Sequence, residues 1–127
     1  MDPVSDMFIR IKNAQKAGHE SVQVSYSKFK HEILKTLERA GYLGKVERKG
    51  KRVKRFLEAE LIYREEGPAV RGIKLISRPS RRLYIGSKDI RPPRQGGIVV
   101  ISTPRGVLTT RAAKKEKVGG EIIAEVW

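Results

Sequence analysis

The strongest constraint on the fold lies in residues 96–127, where short apolar segments alternate with polar ones. An apolar run, Ile-Val-Val-Ile at 98–101, leads directly into Ser-Thr-Pro-Arg-Gly at 102–106, and Val-Leu at 107–108 resumes the extended pattern. Apolar runs this short are typical of strands rather than helices. The proline and glycine between them favour a tight turn. We therefore predict two strands joined by a polar tip.

A short helix and a further strand complete this unit. The two threonines at 109–110 open a short basic helix, the two glycines at 119–120 end it, and residues 121–127 form the last strand. Segments this short bury their apolar faces only by folding back on one another. We therefore expect the polar tip at 102–106 to lie close to the turn at 119–121.

The first 76 residues predict two helices and several strands. Capping residues mark the helix ends, with Asp2 and Gly18 for the first helix and Ser27 and Gly41 for the second. The predicted elements are helix 3–16, strand 22–24, helix 28–40 and strands 42–48, 56–63 and 73–76. This order predicts an α+β layer of two helices on a small, mostly antiparallel sheet of three or four strands.

Periodicity also predicts which side chains of these elements lie on one face. In the second helix the apolar residues recur at three- and four-residue spacing, and in strand 56–63 they alternate with polar residues. The residues expected to form the buried stripe of the helix are Phe29, Ile33, Leu34 and Leu37. The residues expected to share one face of the strand are Leu57, Ala59, Leu61 and Tyr63, with Glu58 and Glu60 on the other face.

The composition changes at residues 77–82, Ser-Arg-Pro-Ser-Arg-Arg. Because proline among hydroxyls and cations argues against regular structure, we interpret this segment as a linker or domain junction. It divides the chain into an α+β domain, residues 1–76, and a β-rich domain with short helices, residues 77–127. The other elements predicted for the second domain are a strand at 83–85, a helical turn at 88–90 capped by Ser87, and an irregular loop at 91–97.

The class of partner follows from the charge, which is +14 at pH 7. A charge this large repels itself in the compact state, and its usual compensation is a polyanion, with nucleic acid first and an anionic membrane second. Residues 68–127 hold 13 Lys and Arg against 4 Asp and Glu, whereas residues 1–67 hold 15 against 10. We expect neither a membrane span nor a secretory signal, since no run of 18 apolar residues occurs and the first residues are acidic.

Catalysis has little support in the residues. No cysteine is present, and His19 and His31 lack the spacing of a metal site. No histidine follows them that can act as base for a hydroxyl nucleophile. Glu121 and Glu125 share a strand face, but nothing in the sequence indicates a pocket beside them. We expect no catalytic residue, metal or cofactor, and the alternative is a basic nucleic-acid-processing enzyme such as a nuclease.

RNA binding explains the residues of the polar tip better than catalysis does. The hydroxyls of Ser102 and Thr103 suit a minor groove that displays 2′-hydroxyls. Glu121 can accept from a base amino group or orient a neighbouring cation, and Tyr84 offers a ring on which a base can stack. The alternatives are a turn whose hydroxyls satisfy its own backbone and a half-buried tyrosine. The cations available for phosphates in this half are Arg78, Arg81, Arg82, Lys88, Arg91, Arg94, Arg105, Arg111, Lys114, Lys115 and Lys117.

Lys28 and Lys30 are a second candidate contact. They fall in the first turn of the second predicted helix, where the helix dipole disfavours cations. An anionic partner would explain their position, and solvation is the alternative.

The motifs together resemble the bacterial ribosomal protein S8 family of the small subunit. The resemblance covers essentially the whole chain in one register, although residues 44–72 match weakly. The residues that carry it are Asp2-Pro3, Asp6-Met7, Arg10-Ile11-x-Asn13-Ala14, Phe29-x-x-Glu32-Ile33-Leu34, Gly41-Tyr42, Ser77-Arg78-Pro79-Ser80-Arg81-Arg82-x-Tyr84, Ser102-Thr103-x-x-Gly106-Val107-Leu108-Thr109, Ala112 and Gly119-Gly120-Glu121.

This resemblance implies a two-domain structural protein of the cytoplasmic ribosome that binds 16S-type rRNA in its central domain and helps to assemble the small subunit. It also implies small-subunit proteins five and twelve as neighbours, and in some bacteria repression of the messenger of its own operon. No membrane partner and no homo-oligomer are expected. The RNA-binding residues predicted from the sequence and the resemblance are Ser102, Thr103, Arg105, Gly106, Glu121, Gly120, Tyr84, Arg78, Ser80, Arg82, Lys28 and Lys30.

One position departs from the family pattern, because Pro104 stands where a serine is usual. Proline has neither an N–H nor a hydroxyl, so no side-chain oxygen contact is expected there. Its ring instead restricts the loop. We therefore expect Ser102, Thr103 and Gly106 to matter more than position 104.

Overall fold

A computed structural model describes residues 2–94 and 96–127. The chain forms two compact units, residues 3–71 and residues 72–127. The second unit therefore begins five residues before the boundary expected from the sequence. The elements of the first unit are α1 (Pro3–Lys16), β1 (Ser21–Ser25), α2 (Lys28–Arg39), β2 (Leu43–Lys49), β3 (Phe56–Leu61), β4 (Tyr63–Arg64) and β5 (Gly67–Pro68).

The helices of the first unit follow the prediction closely, except that α2 ends at Arg39, one residue before the predicted end. α1 spans the predicted residues, and Gly18 follows it with φ 77°. At the start of α2 the hydroxyl of Ser27 accepts a hydrogen bond of 3.1 Å from the N–H of Lys30, which satisfies one free amide of the first turn. Gly41 takes the left-handed conformation after the helix, with φ 87°.

The sheet of the first unit has three antiparallel strands in the order β1-β3-β2. Leu57 and Ala59 of β3 are fully buried, as period two predicts. Tyr63, in contrast, is 43% exposed, because β3 ends at Leu61 and Tyr63 belongs to the separate β4–β5 pair. Phe29 is 36% exposed, so its prediction as part of the buried stripe of α2 was wrong.

The second unit is built around its last strand. Its elements are β6 (Ile73–Leu75), β7 (Tyr84–Ile85), a 3-10 turn (Ser87–Asp89), β8 (Ile98–Thr103), β9 (Gly106–Thr109), α3 (Thr110–Lys115) and β10 (Gly120–Val126). β10 pairs with β8 on one side and with both β6 and β7 on the other, and β9 pairs with β8. All of these pairs are antiparallel. Of the irregular loop predicted at 91–97, Gln95 lies outside the described residues.

Two predictions for the junction between the units are wrong. The strand Ile73–Leu75 does not extend the first sheet, because it pairs with β10. Residues 77–82 are not a linker either. Arg78 and Arg81 exchange two backbone hydrogen bonds of 2.9 Å, which close a tight turn. The buried hydroxyl of Ser77 accepts from the N–H of Leu83 at 3.0 Å and ties the ends of this turn together.

α3 covers one face of the second sheet. Its residue Ala113 packs with Ile90 and Ile101, all three buried. The hydroxyl of Thr109 caps the helix by accepting from the N–H of Ala112 at 3.2 Å. The partly buried residues packed against this cluster are Ile85, Leu108 and Val118.

The sequence predicts that the glycines at 119–120 end α3, and this prediction is wrong. The helix stops at Lys115, and Lys117 takes the left-handed conformation with φ 59°. Ser87 does not cap the 3-10 turn but is its first residue, and Gly86 precedes it without a side-chain cap. Within the described ranges, no helix is long and apolar enough to cross a membrane.

Candidate RNA-binding site

Three predicted site residues form a row across the second sheet. Glu121 of β10 lies opposite Ser102 of β8 on one side and opposite Tyr84 of β7 on the other. Directly opposed residues of antiparallel strands place their side chains on the same face. The sheet therefore presents a hydroxyl, a carboxylate and an aromatic ring side by side, and the predicted closeness of the tip and the turn is confirmed.

The tyrosine of this row is open to solvent. Tyr84 is 72% exposed, so the half-buried alternative for this residue is wrong. Neither its phenol oxygen nor the hydroxyl of Ser102 has a hydrogen-bond partner among the described residues. Both side chains are therefore free to contact a ligand.

The carboxylate of the row is held by an arginine. Arg82 Nη1 lies 3.1 Å from Oε2 of Glu121. The sequence left two roles open for Glu121, which were to accept from a base amino group or to orient a neighbouring cation. The ion pair with Arg82 corresponds to the second role. Because the pair is partly exposed, its contribution to stability is small, and its main effect is to fix where the guanidinium lies.

The hydroxyl of Thr103 organises the tip. It donates to the carbonyl oxygen of Gly106 at 2.8 Å and accepts from the N–H of Arg105 at 3.1 Å. Because its single proton is used within the turn, this hydroxyl can only accept from RNA. Pro104 occupies the first loop position, which suits its fixed φ, and Gly106 has φ 113°, which a glycine adopts without strain.

Gly120 allows the close approach of β10 and β8 at the tip. A Cβ at this position would overlap the carbonyl oxygen of Ser102. A side chain is therefore excluded by the backbone of the neighbouring strand. Gly120 is not itself a member of the row. Its missing side chain lets β10 approach β8 closely enough for the neighbouring Glu121 to lie opposite Ser102.

Arg105 of the tip pairs with Glu116, with 3.2 Å between Nη1 and Oε1. Glu116 follows α3 directly and was not predicted from the sequence. Eleven residues separate the two, and no periodic pattern links them, so the only available signal was the rarity of acids in this half. The set formed by Arg82, Tyr84, Ser102, Thr103, Pro104, Arg105, Gly106, Gly120 and Glu121 is called the tip surface below.

Arg78 and Ser80 are not part of the row. They are exposed in the tight turn between β6 and β7. With Lys74 and Arg81 they line a separate groove of about 590 Å³. The structure therefore places these two predicted contacts on the turn beside the sheet edge rather than at the tip.

Lys28 and Lys30, in the first unit, have different environments. Lys28 is exposed. Lys30 is only 6% exposed, and its Nζ donates to the hydroxyl of Ser25 at 2.7 Å. Burial lowers the pKa of Lys30, against the attraction of Asp6. This burial removes Lys30 from the cations that can reach a phosphate.

The tip surface is suited to binding rather than catalysis. It supplies guanidinium groups for phosphates, an aromatic face, and short acceptors and donors. In the described part of the chain, no group of three or more His, Asp or Glu side chains is arranged to hold a metal ion.

Comparisons with known proteins agree over nearly the whole chain. The family model described as ribosomal protein S8 matches residues 2–127. The small ribosomal subunit protein uS8 of Thermus aquaticus is 47% identical over 99% of this chain and 98% of its own length. The proteins of the same name from Thermus thermophilus and Dictyoglomus thermophilum are 44% and 39% identical, over 99% of this chain and 98% and 97% of their own lengths.

Proposed function

Because the chain belongs to the ribosomal protein S8 family, we propose that it is a structural protein of the small subunit of the cytoplasmic ribosome and that its tip surface binds small-subunit rRNA. The observation that carries the assignment of the surface is the cross-strand row of Tyr84, Glu121 and Ser102. Residues distant in the sequence meet there at one end of one sheet.

The chemistry of the surface supports a folded RNA with unpaired bases as its ligand. The exposed ring of Tyr84 suits stacking on a base that is not in a duplex. The hydroxyl of Ser102 suits a base edge or a 2′-hydroxyl, and Arg82 and Arg105 suit phosphates. Both arginines are oriented by glutamates, which lowers the entropy lost when they bind.

Finer aspects of the assignment follow from the resemblance described above. We propose that the rRNA site lies in the central domain of the small-subunit rRNA and that binding helps to assemble the subunit. Small-subunit proteins five and twelve are the proposed neighbours. An mRNA that imitates the rRNA site would use the same surface, which would permit repression of the messenger. The nuclease alternative is not supported, since the family consists of ribosomal structural proteins.

The test is binding of the purified protein to a central-domain fragment of small-subunit rRNA and to a scrambled duplex of equal length. We expect clear preference for the rRNA fragment. With about five to eight phosphates engaged, log K should fall against log salt with a slope of roughly −4 to −7. Equal affinity for both RNAs, or a flat salt response, would contradict the proposed function.

A substitution outside the row provides an internal comparison. Lys114 is exposed on α3 and lies outside the tip surface. As a phosphate contact it should affect both RNAs equally, so Lys114→Ala should weaken binding to the fragment and to the scrambled duplex by a similar factor. A selective loss on the rRNA fragment would show that Lys114 contributes to recognition of the site.

A further inference from the structure

A cavity of the first unit, which the proposed function does not use, is lined by a buried lysine. The cavity lies between the start of α1, the strands β1 and β3, and the first turn of α2. Its volume is about 350 Å³, which is within the range of pockets that hold small ligands. The charged residues in its lining are Asp6, Arg10 and Lys30.

The amine of Lys30 has one hydrogen-bond partner. Lys30 is 6% exposed, whereas Ser25 is exposed on β1. Nζ donates to the hydroxyl of Ser25 at 2.7 Å, and it has no other acceptor within the described ranges. Both residues line the cavity. Because Nζ is the donor in this bond, its lone pair is free whenever the amine is neutral.

The surroundings of Lys30 favour the neutral amine. Burial lowers the pKa of Lys30 from the ordinary 10.5, and Asp6 opposes this shift while Arg10 adds to it. The lining residues from β1 and β3 are uncharged. Lysine is a nucleophile only as the neutral amine, and proteins activate it by desolvation or by a neighbouring cation. A titratable group with a shifted pKa in a cleft marks a candidate functional site.

The mouth of the cavity suits a small anionic reagent. Arg10 Nε lies 3.0 Å from Oδ2 of Asp6, and the two side chains are 58% and 44% exposed. Since Nε makes this contact, the Nη groups of the same guanidinium can bind phosphate oxygens. The burial of Lys30 excludes a phosphate of an RNA strand, which is flanked by two riboses. A small reagent that enters the cavity can reach Nζ.

We propose that Lys30 is an acylation site whose acyl donor is a small acyl phosphate. The phosphate of the donor binds Arg10, and the neutral amine of Lys30 attacks the carbonyl carbon. A C–N bond forms, and the C–O bond to the phosphate breaks. Inorganic phosphate leaves and takes up the proton that the amine releases. The product is an uncharged amide at Lys30.

The charges at the cavity favour an acyl phosphate over other acyl donors. Its negative charge lies on the leaving group, beside the carbonyl carbon, so Arg10 can both bind the reagent and stabilise the departing phosphate. An uncharged ester would gain nothing from Arg10. The amide product removes a buried charge, which costs free energy in the folded protein, and it keeps one N–H that can donate to Ser25.

The experiment measures acetylation of the full-length protein by acetyl phosphate, site by site, with peptide mass spectrometry. Lys28 is the matched control, because it lies two residues earlier in the same helix and is exposed. In the folded protein at about pH 8, we expect the initial rate at Lys30 to exceed that at Lys28 by about threefold or more. In guanidinium chloride, where the chain is unfolded, the two rates should agree within about twofold, since the cavity no longer exists.

The variant Arg10→Gln tests the binding of the phosphate. With acetyl phosphate, its rate at Lys30 should fall about fivefold while the rate at Lys28 is unchanged. The fold should be kept, because the lost ion pair is exposed. An uncharged activated ester of acetic acid is the control reagent. It measures the effect of Arg10 on the amine alone, and with it the rate at Lys30 should fall by less than about twofold.

A rate at Lys30 no higher than that at Lys28 in the folded protein would overturn the proposal, because burial would then only protect the amine. Equal losses with both reagents in Arg10→Gln would overturn the choice of an acyl phosphate as the donor. These measurements contain no RNA. Their outcome is therefore independent of whether the tip surface binds rRNA.

Discussion

Arg82 and Glu121 face each other at one end of the second sheet, with 3.1 Å between Nη1 and Oε2. Glu121 is also the strand partner of both Ser102 and Tyr84. A single carboxylate therefore lies between an aromatic ring and a hydroxyl while it fixes a guanidinium. Acids are rare in this half of the chain, so the presence of Glu121 in a surface proposed to bind RNA calls for a structural reason, and the ion pair supplies one.

Replacing Glu121 by Gln should distinguish specific recognition of the rRNA fragment from the general electrostatic attraction of the protein for any RNA. Gln keeps the shape but no longer holds Arg82 by charge, so affinity for the rRNA fragment should fall about tenfold, which corresponds to ~1.4 kcal/mol. Binding to a scrambled duplex should stay equal or become tighter, since a negative charge is lost. Filter binding of both RNAs measures this, with Glu125→Gln on the same strand as the control. Parallel losses on both RNAs would contradict the role of Glu121.

Thr103→Ala should loosen the tip. The change removes both hydrogen bonds that link Thr103 to Gly106 and Arg105, and we expect a loss of about 1 kcal/mol in the free energy of unfolding and weaker binding of the rRNA fragment. Thr103→Ser keeps the hydroxyl and should restore most of both. Denaturant unfolding and RNA titrations measure the two effects. If serine restored neither, the methyl group rather than the hydroxyl would be important.

Gly120→Ala should be strongly destabilising. The new methyl group would overlap the carbonyl oxygen of Ser102, which the β8–β10 pairing holds in place, and overpacking of this kind costs about 2 kcal/mol or more. Gly86→Ala is the matched control. There the nearest atom to an added Cβ is Oδ2 of Asp89 at 3.7 Å and φ is −82°, so the change should stay within about 0.5 kcal/mol. Similar midpoints for the two variants would argue against the close approach.

The two lysines at the start of α2 should behave differently. Lys30→Ala removes a buried side chain and its hydrogen bond to Ser25, and we expect a loss of about 1–2 kcal/mol in the free energy of unfolding. Lys28→Ala removes an exposed cation and should leave stability within about 0.5 kcal/mol. Any effect of Lys28→Ala should appear in RNA affinity instead. Equal stability of the two variants would contradict the burial of Lys30.

His31 should make the protein less stable in mild acid. Burial lowers its pKa from the ordinary 6.5, assisted by Lys35 and Arg48 and opposed by Glu32 and Glu38. Its Nε2 is buried without a hydrogen-bond partner among the described residues. The unfolded chain then binds more protons than the folded one as pH falls through 6.5, so the free energy of unfolding should fall with pH in that window.

Denaturant unfolding at pH 7.5, 6.5 and 5.5 tests this prediction. The variant His31→Gln cannot take up the proton and should show a flatter profile than the wild type. His19→Gln, at an exposed position, is the control and should keep the wild-type profile. A profile of His31→Gln as steep as that of the wild type would assign the pH dependence to other groups.

Local patterns in the sequence were sufficient for most of the elements. The bounds of α1, the Ser27 cap and the left-handed Gly41 all follow from residues within a few positions of one another, and all are confirmed. The pairing of β6 with β10 is not local, since about 50 residues separate the two strands. Propensity gives the existence of a strand but not its partner, which is why β6 was assigned to the wrong sheet.

In the candidate site, too, the features set by nearby residues could be predicted and those set by distant residues could not. The closeness of Ser102 and Glu121 follows from the short strand–turn–helix–strand order and is confirmed. The burial of Lys30 was missed because a lysine in an amphipathic helix is normally solvated, and only the neighbouring Ser25 of β1 gives it a partner. Glu116 was missed because its contact with Arg105 depends on the position of α3 over the sheet.

The position of β10 within its sheet has a consequence for synthesis on the ribosome. The first unit has all of its strands once Arg71 has been made, so it can fold while the rest is still being translated. β6, β7 and β8 instead all pair with β10, which is translated after all of them. Until β10 emerges, β6 and β7 lack their strand partner, β8 is paired on one side only, with β9, and the row of Tyr84, Glu121 and Ser102 does not exist. A nascent chain interrupted before Gly120 would therefore carry a folded first unit but no assembled tip surface.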